Sequence, residues 1–546
     1  MRPTERSAIG SATKEGNRNF LGRLIAALTA LSTLAGCAGA QSSANRPAAD
    51  TKPTLVVLIT VDQMRGNYFD RFGSQLTGGL ARLSRGGAWY SNAHHDHAIT
   101  ETAPGHATLL SGRFPRSTGI TANRVGVIDS TSPLIGSGVM GASPLRFRGT
   151  TLVDWLIASD RRTRALSISM KDRGAILPVG RSKQEVYWYP GNGLFTTSRY
   201  YRDSLPAWVQ AFNARHLPQK YAGKVWTLLL PDSAYPEPDD QSVEGTGAEI
   251  LFPKALPDDS ASAASGVRTM PFMDELTVAM ALDGVNALGL GKGPHTDVLA
   301  VSLSATDLVG HRYGPDSREL HDGILRLDRT IGRFIDSLYR LRDSSRVIFA
   351  LSADHGVGTV PELAFSRGDQ GATRVNPATL YDYLMKQATT VGAPRNAIDF
   401  DLQLLFIDRT ALGQAKVNTD SLVAAFRDSA LKVPGIARVD RYRALMADTA
   451  KDPIARRWVH QLGDARNLEL VVTLTPSSLW GTTIASHGSP YDYDSHVPLI
   501  FYGPGFAPGR HNEFVRTVDL APTLAARLGV RPLETLDGVA LRNALR

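Results

Sequence analysis

The sequence predicts an α/β protein with a mostly parallel central sheet flanked by helices. Several β-rich runs are apolar throughout, as expected of strands that are buried on both faces of a sheet. A long amphipathic stretch, residues 318–343, has helical periodicity and suits a helix that covers such a sheet. The apolar runs span residues 54–62, 297–307, 347–355 and 496–503. Each of these runs begins or ends at a polar side chain of a type that binds metal ions.

The elements follow one another in a βα rhythm from Thr54, where the core is predicted to begin. After the first strand a helix is predicted over 78–87. Residues 102–112 indicate a strand-to-helix junction, with Pro104 tolerated in the first helical turn. Residues 164–174 predict a strand that leads into a basic loop. Along the chain, the long helix lies between the two strands predicted at 297–307 and 347–355.

Two stretches interrupt this rhythm, at about 180–290 and about 368–480. The first is rich in Trp, Tyr, Pro and Asp, and the second mixes helices with short strands. Both fall between the candidate ligand positions. We therefore predict one catalytic domain, residues 54–546, with two insertions that cap its site.

The N-terminus predicts export. Basic residues up to Arg23 precede an apolar segment, 24–36, that is too short for a stable transmembrane helix. Residues 1–37 fit a lipoprotein-type signal peptide with Cys37 as the lipid anchor, and 38–53 fit a flexible tether. Cleavage after residues 38–40 by ordinary signal peptidase is the alternative. The predicted location is the periplasm or, with the anchor, the outer membrane; Cys37 is the single cysteine, which excludes a disulfide within the chain.

Composition argues against a nucleic-acid partner. The formal charge of +8 is mild for 546 residues, and no run of basic residues or aromatic-basic stripe is present. The apolar fraction of 42% is ordinary for a folded protein. A mild attraction for small anionic substrates is all that the charge predicts.

The side chains beside the apolar runs predict a metal site. Loops at the carboxyl ends of parallel strands converge on one crevice, so residues far apart in the sequence can meet there. Carboxylates and imidazoles suit zinc or a similar divalent ion, although manganese or iron remain possible. The candidates are Asp62, Asp307, Asp354 and His355, which end their runs, and His496, which precedes one.

The candidates divide into two groups. Asp307 and His311 are spaced i, i+4 and share a face if the segment is helical; His496 would complete their set. Asp62, Asp354 and His355 would form the second set, completed by an oxygen nucleophile. Two ions about 4 Å apart can clamp the attacking and leaving oxygens of a phosphoryl transfer. Thr102, at the start of a predicted helix, is the candidate nucleophile.

The motifs resemble, in order and over nearly the whole chain after residue 54, those of the alkaline phosphatase superfamily. The similarity is greatest to exported, phosphate-irrepressible bacterial alkaline phosphatases with a threonine nucleophile, which are related to the type I phosphodiesterase/nucleotide pyrophosphatases. The motifs are Val61-Asp62-Gln63-Met64-Arg65, Thr102–His106, Gly119–Asn123, Lys171-Asp172-Arg173-Gly174, Asp307–His311, Ser352–Gly356 and Asp494–Pro498.

The resemblance implies an alkaline phosphatase-like fold and two Zn²⁺ per chain. One ion would be held by Asp307, His311 and His496. The other would be held by Asp62, Asp354 and His355, with Thr102 bridging as nucleophile. It also implies that Asn123, Lys171 and Arg173 contact the phosphoryl group.

The resemblance further implies a zinc-dependent alkaline phosphatase that hydrolyses phosphate monoesters through a phosphothreonine intermediate and scavenges phosphate. Lys171 and Arg173 would stabilise the extra charge of a monoester dianion. Diesterases of the superfamily lack this Lys-x-Arg pair. A phosphodiesterase or nucleotide pyrophosphatase that uses the same two-metal site is the alternative. The predicted partners are small-molecule phosphate monoesters, and no protein partner is implied.

Five further histidines are less easily assigned. The run His94-His95-Asp96-His97 looks like a metal-binding tract, but neighbouring side chains on an extended segment point to opposite faces. The resemblance places no ligand there. His106 and His487 are candidates for orienting the ligands or the phosphate.

Overall fold

The computed structural model describes residues 52–245, 250–446, 451–463 and 465–546. The predicted signal peptide 1–37 with Cys37, and residues 38–51 of the predicted tether, lie outside the described residues. Within the described ranges, no helix combines the length and the hydropathy needed to span a bilayer.

A nine-stranded mixed sheet organises the part of the chain that the structure describes, and it confirms the predicted fold class. We number its strands in chain order. The spatial order is β8-β2-β7-β6-β1-β5-β3-β4, with β9 also paired to β2. The strands are β1 Leu55–Val61, β2 Ala88–His94, β3 Ala165–Ser169, β4 Glu185–Trp188, β5 Asp297–Leu303, β6 Val347–Ser352, β7 His496–Tyr502, β8 Gly509–His511 and β9 Val515–Arg516.

Strand direction decides which loops meet at the site. β1 pairs in parallel with β5 and with β6, so the segments that follow these three strands emerge at one edge of the sheet. β7 is antiparallel to β6, with Leu499 opposite Ser352. Because of that direction, the start of β7 and the loop before it lie at the same edge as the ends of β1, β5 and β6.

Both faces of the sheet are covered, as the apolar character of β1 predicts. Leu55, Val57 and Ile59 pack into one core cluster, and Val56 and Leu58 pack into another. The predicted long helix is present as Arg318–Leu341. The other helices of eight or more residues around the sheet are Gly79–Gly86, Thr102–Leu109, Leu152–Ser159, Phe272–Leu288, Ala305–Tyr313 and Leu520–Leu528.

The segment 368–480 contains a sheet of its own. Its strands are Ile398–Asp401, Leu404–Ile407, Leu468–Leu474 and Ile436–Arg441, in spatial order, and their pairs are antiparallel. A separate apolar cluster joins this sheet to its helices. The helices of this segment are Pro377–Thr390, Arg409–Gln414, Thr419–Ala430, Tyr442–Leu445 and Pro453–Leu462, and a short strand pair joins Arg374–Val375 to Leu479–Trp480.

The segment 180–290 is continuous with the main core. β4 forms an edge of the main sheet, and the helix Phe272–Leu288 contributes Met273, Leu276 and Met280 to the main core. The domain boundaries, and the capping role of both segments, stay predictions. The remaining short elements include the strand pair Val225–Trp226 with Lys254–Ala255 and the helices Tyr68–Phe72, Pro115–Thr118, Asp172–Ile176, Ala207–Asn213, Ser260–Gly266, Pro361–Ser366 and Asp492–Ser495.

Candidate functional site

Thr102 is the first residue of the helix Thr102–Leu109, at the edge of the sheet where the strand ends converge. Its side chain is buried, and Oγ1 lies 3.4 Å from Nε2 of His355 and 3.4 Å from Nζ of Lys171. The helix passes so close to Asp354 that a Cβ at Gly105 would lie 2.0 Å from the Asp354 carbonyl oxygen. Glycine at that position therefore allows the nucleophile candidate to approach the carboxylates.

Asp62, Asp354 and His355 form the first ligand group, and all three side chains are completely buried. Nε2 of His355 lies 3.6 Å from Oδ1 of Asp62 and 3.6 Å from Oδ2 of Asp354. The other ring nitrogen, Nδ1, donates to the carbonyl of Gly356 at 2.8 Å. Because Nδ1 carries the proton, Nε2 presents a lone pair toward both carboxylates, as a metal ligand must.

Asp307 and His487 converge with His355 on a second point, and His311 lies beside Asp307. We call Asp307, His311 and His487 the second ligand group. Nε2 of His311 lies 3.3 Å from Oδ1 of Asp307, and Nε2 of His487 lies 3.7 Å from the same oxygen. Each ring donates through Nδ1 to a backbone carbonyl at 2.8 Å, that of Ala485 for His311 and that of Thr100 for His487. Both Nε2 lone pairs therefore face Asp307, and the ring of His487 stacks on that of His355 at 3.5 Å.

The structure does not bring His496 into this group, which corrects the prediction. Nε2 of His496 donates to the carbonyl of Ser91 at 2.8 Å, and the ring stacks on His94 at 5.0 Å. In the described ranges, the side chains whose ligand atoms converge are Asp62, Asp354 and His355 at one point and Asp307, His355 and His487 at the other, so His496 belongs to neither set. His487, nine residues earlier, takes the predicted place because the loop 481–491 folds back over the strand ends.

The close, buried carboxylates of Asp62, Asp307 and Asp354 suit a divalent cation. Burial, with Asp307 and Asp354 nearby, raises the pKa of Asp62 well above its ordinary value. Within the part of the chain that the structure describes, Oδ1 of Asp62 is buried and has no hydrogen-bond partner. Oδ2 of Asp62 lies 2.7 Å from Nζ of Lys171, and Oδ2 of Asp354 lies 3.1 Å from Nδ1 of His106. Buried unsatisfied carboxylate oxygens beside imidazole lone pairs are what a metal ion would satisfy. The two ligand groups therefore could hold metal ions.

Lys171 links the two groups. It follows β3 and precedes the helix Asp172–Ile176, and its Nζ lies 2.7 Å from Oδ2 of Asp62 and 2.6 Å from Oδ2 of Asp307. Burial opposes the charge, but the two aspartates outweigh it, so the pKa of Lys171 is raised. The same ammonium lowers the pKa of Asp307 against the effect of burial. Lys171 is thus a buried cation beside the Thr102 hydroxyl.

Asn123 contacts Ala103, the residue after the nucleophile, and Arg173 belongs to the helix Asp172–Ile176, which packs against the helix Thr102–Leu109. Oδ1 of Asn123 accepts from the backbone N–H of Ala103 at 2.8 Å, so the amide Nδ2 is the end that can donate to a phosphoryl oxygen. The backbone N–H of Asn123 donates to Oε2 of Glu101 at 2.6 Å. Nε of Arg173 is buried and has no hydrogen-bond acceptor among the residues that the structure describes. Both side chains thus offer donors for an anionic group.

Gln63 lies in the motif Val61–Arg65 but is not among the predicted site residues, and the structure gives it a central position. Its Nε2 donates to Oδ1 of Asp307 at 2.9 Å, and its backbone N–H donates to Oδ1 of Asp354 at 3.1 Å. Its backbone is left-handed, with φ of 63°. Gly310 lies against it, and a Cβ there would be 1.8 Å from Oε1 of Gln63. One residue therefore holds a carboxylate from each ligand group.

The histidines left unassigned by the sequence now have distinct contacts. His106 lies beneath the site, with Nδ1 donating to the carbonyl of Thr102 at 2.9 Å and lying 3.1 Å from Oδ2 of Asp354. In the run 94–97, Nε2 of His95 donates to the carbonyl of Ala353 at 2.8 Å, whereas Asp96 pairs with Arg456 at 2.9 Å. The members of the run thus reach different partners and do not converge on one point.

With this geometry established, comparison with known proteins identifies the family. Residues 56–397 match the family model described as type I phosphodiesterase / nucleotide pyrophosphatase. The chain belongs to this family. The match confirms the resemblance that the motifs indicated.

Relatives that align over the full domain are named alkaline phosphatases. The chain is 32% identical to alkaline phosphatase PhoV of Synechococcus elongatus, over 92% of this chain and 94% of the relative. It is 30% identical to alkaline phosphatase PafA of Elizabethkingia meningoseptica, over 91% and 95%. The crystal structure of wild-type PafA superposes with a TM-score of 0.83 at 28% identity, covering 91% of this chain and 99% of that one. The fold is therefore that of PafA.

Proposed function

We propose that this family member is a zinc-dependent alkaline phosphatase that hydrolyses phosphate monoesters through a phosphothreonine intermediate. Relatives that align over more than nine-tenths of the chain bear the name alkaline phosphatase. The observation that carries the proposal is the buried ammonium of Lys171, 3.4 Å from Oγ1 of Thr102. A monoester dianion has one more charged oxygen than a diester, and a fixed cation beside the nucleophile favours it.

The side chains of the site have different roles in the proposed reaction. Zn²⁺ ions held by the two ligand groups would supply positive charge for the attacking and leaving oxygens. Asn123, Lys171 and Arg173 bind the non-bridging phosphoryl oxygens and hold the phosphorus atom before Thr102. Oγ1 of Thr102 bonds to phosphorus while the ester P–O bond breaks. The proton lost by the threonine hydroxyl passes to solvent, and the departing alkoxide takes one up from solvent and leaves as the alcohol. Water then hydrolyses the phosphothreonine, which releases phosphate and restores the hydroxyl.

A phosphodiesterase is the second candidate, because the matching family model is named for diester and pyrophosphate hydrolysis. It would use the same ligand groups and Thr102. A diester has no third charged oxygen for Lys171 and Arg173 to neutralise. Beside an uncharged ester oxygen, the positive charges of Lys171 and Arg173 would have no negative charge to stabilise, and for this reason we favour the monoesterase.

The deciding experiment compares kcat/KM for a nitrophenyl phosphate monoester and the matching diester. The protein from residue 41 onward is loaded with zinc and assayed again after chelation. We expect a preference for the monoester of about 1,000-fold or more, lost on chelation and restored by zinc. A diester preference would make the protein a phosphodiesterase, and activity that survives chelation would remove the metal from the proposal.

We also propose that the protein is exported, with Cys37 as a lipid anchor, and serves to scavenge phosphate. The support is the basic N-terminus, the apolar segment 24–36 and the sequence Leu34-Ala35-Gly36-Cys37 that ends it. Cell fractionation of the full chain and of Cys37→Ser tests this. We expect the first in the membrane fraction and the second in a soluble fraction; a cytoplasmic full chain would contradict export.

A further inference from the structure

A cavity of about 300 Å³ lies beside the candidate site, between the main sheet and the segment 368–480. This volume is at the lower end of the range for sites that bind small molecules, about 300–1,000 Å³. Its lining includes Glu101, Leu402, Leu479, Trp480, His487 and Asp494. No role in the reaction has so far been given to the cavity.

The cavity is continuous with the reaction centre at two residues. Glu101 immediately precedes Thr102, and its carboxylate accepts from the backbone N–H of Asn123 at 2.6 Å. His487 belongs to the second ligand group, 3.7 Å from Asp307. Under the proposed function, Thr102 attacks from the side of the first ligand group, so the ester oxygen leaves on the side of the second. An alcohol attached to that oxygen would extend past His487 into the cavity.

One wall of the cavity is apolar. Leu402 stands at the turn of the hairpin Ile398–Ile407, where its backbone φ is 50° and its side chain is 44% exposed. Leu479 and Trp480 come from the short strand that ends at the cavity. The Trp480 ring is half-buried against the core of the segment 368–480. A half-buried aromatic ring beside leucines offers an apolar surface for one face of a ligand.

Two carboxylates with unused acceptor capacity also line the cavity. Asp494 is 1% exposed; its Oδ2 accepts from the backbone N–H and the hydroxyl of Ser489, at 2.9 and 2.6 Å. Its Oδ1 is buried and has no hydrogen-bond partner in the described part of the chain. Glu101 uses Oε2 for Asn123. Carboxylate oxygens accept hydrogen bonds and repel anions, so the ligand they suit brings hydroxyl donors and no negative charge of its own.

We propose that this cavity binds the alcohol portion of the substrate, and that its preferred alcohol is a neutral, hydroxyl-rich ring such as a sugar. One face of the ring would lie on Trp480, and hydroxyls on the opposite side would donate to Asp494 and Glu101. The inference rests on the proposed function, because it names the substrate class of the same site. It accounts for the presence of both apolar side chains and two carboxylates in one cavity beside His487.

The kinetic test uses four monoesters: glucose 6-phosphate, 3-phosphoglycerate, phosphoethanolamine and methyl phosphate. We expect the highest kcat/KM for glucose 6-phosphate. In Trp480→Ala its ratio to methyl phosphate should fall about five- to ten-fold, mostly through KM, and Trp480→Phe should retain most of the ratio. Phe365→Ala is the matched control, since Phe365 is 50% exposed and does not line the cavity. Equal efficiencies for all four esters, or the highest for the anionic or the cationic one, would overturn the inference.

A binding measurement separates this inference from the proposed function. Calorimetric titration of zinc-loaded Thr102→Ala with glucose 6-phosphate and with methyl phosphate should show about five-fold or more tighter binding of the sugar ester. Asp494→Asn in the same background should reduce that difference. If the wild type hydrolyses monoesters but Thr102→Ala binds both esters equally, the inference fails and the phosphatase stands. If the wild type hydrolyses none of them, the phosphatase fails as well.

Discussion

The two ligand groups are built from different kinds of structure. In the first, Asp62 directly follows β1, Asp354–His355 follow β6 after one residue, and their side chains are 0% exposed. In the second, Asp307 and His311 lie on the helix Ala305–Tyr313, and His487 comes from the irregular loop 481–491. The side chain of His311 is 31% exposed. The first group is thus fixed by the sheet, whereas the second depends on a helix and a loop at the mouth of the cavity.

The largest expected effect is at Thr102, which contacts the first group. Thr102→Ala should lower kcat for a nitrophenyl monoester by about 1,000-fold or more, because no other hydroxyl lies at the helix start to form the covalent intermediate. Thr102→Ser, which keeps the hydroxyl, should retain much of the activity. Zinc content of both variants should match that of the wild type. Substantial turnover by Thr102→Ala would remove the nucleophile assignment.

The next largest effect compares two histidines. His487→Ala should lower zinc affinity and kcat/KM by about 100-fold, as expected when a group that contacts a metal is lost. His496→Ala should change both by less than about three-fold, since His496 only donates to a backbone carbonyl and stacks on His94. Competition with a zinc chelator and steady-state kinetics provide the readouts. The reverse order of the two losses would restore the prediction made from the sequence.

The difference between these histidines shows how far the sequence could predict the site. Asp62, Asp354 and His355 could be predicted because a buried strand is readable from its apolar run, and the residue after it must emerge at the sheet edge. His496 has the same signal, as it begins β7. The signal is genuine but ambiguous: it places His496 at the correct edge without saying where its ring points.

His487 carried no comparable signal. It lies in a stretch of Gly, Ser and Pro, where neither periodicity nor strand ends constrain the backbone. Its position follows from tertiary contacts, chiefly the hydrogen bond from its Nδ1 to the carbonyl of Thr100. Gln63 was missed for a related reason, since its left-handed backbone is set by the fold and not by a local pattern. The fold class needed only the apolar runs and one amphipathic helix, so it was the easier prediction.

The third prediction concerns the cations beside the two groups. Replacing both Lys171 and Arg173 by Ala should lower kcat/KM for the monoester by about 100-fold or more and for the matching diester by less than about ten-fold. The reason is that only the monoester carries the third charged oxygen. Zinc content should be measured in parallel, because Lys171 also pairs with Asp62 and Asp307. Equal losses on both substrates would mean that the two side chains act on the ligands and not on the phosphoryl group.

The smallest expected effect tests whether the two groups act as one unit. The side chain of Gln63 reaches only the second group, through Oδ1 of Asp307, whereas its backbone N–H reaches Asp354 of the first. Gln63→Leu removes the side-chain hydrogen bond to Asp307 and leaves the backbone hydrogen bond to Asp354. Loss of an outer hydrogen bond to a metal ligand costs about ten-fold in metal affinity or activity. We expect a loss of that size, confined to the zinc of the second ligand group and therefore to one of the two ions in a stepwise chelation experiment.

Gln63→Glu is the informative companion to this variant. It keeps the shape but replaces the amide donor with a carboxylate next to Asp307, so a loss greater than that of Gln63→Leu is expected from the added repulsion. If both variants instead release the two zinc ions together, the two ligand groups are coupled more tightly than their separate construction implies. If neither variant differs from the wild type, the hydrogen bond to Asp307 does not position that ligand.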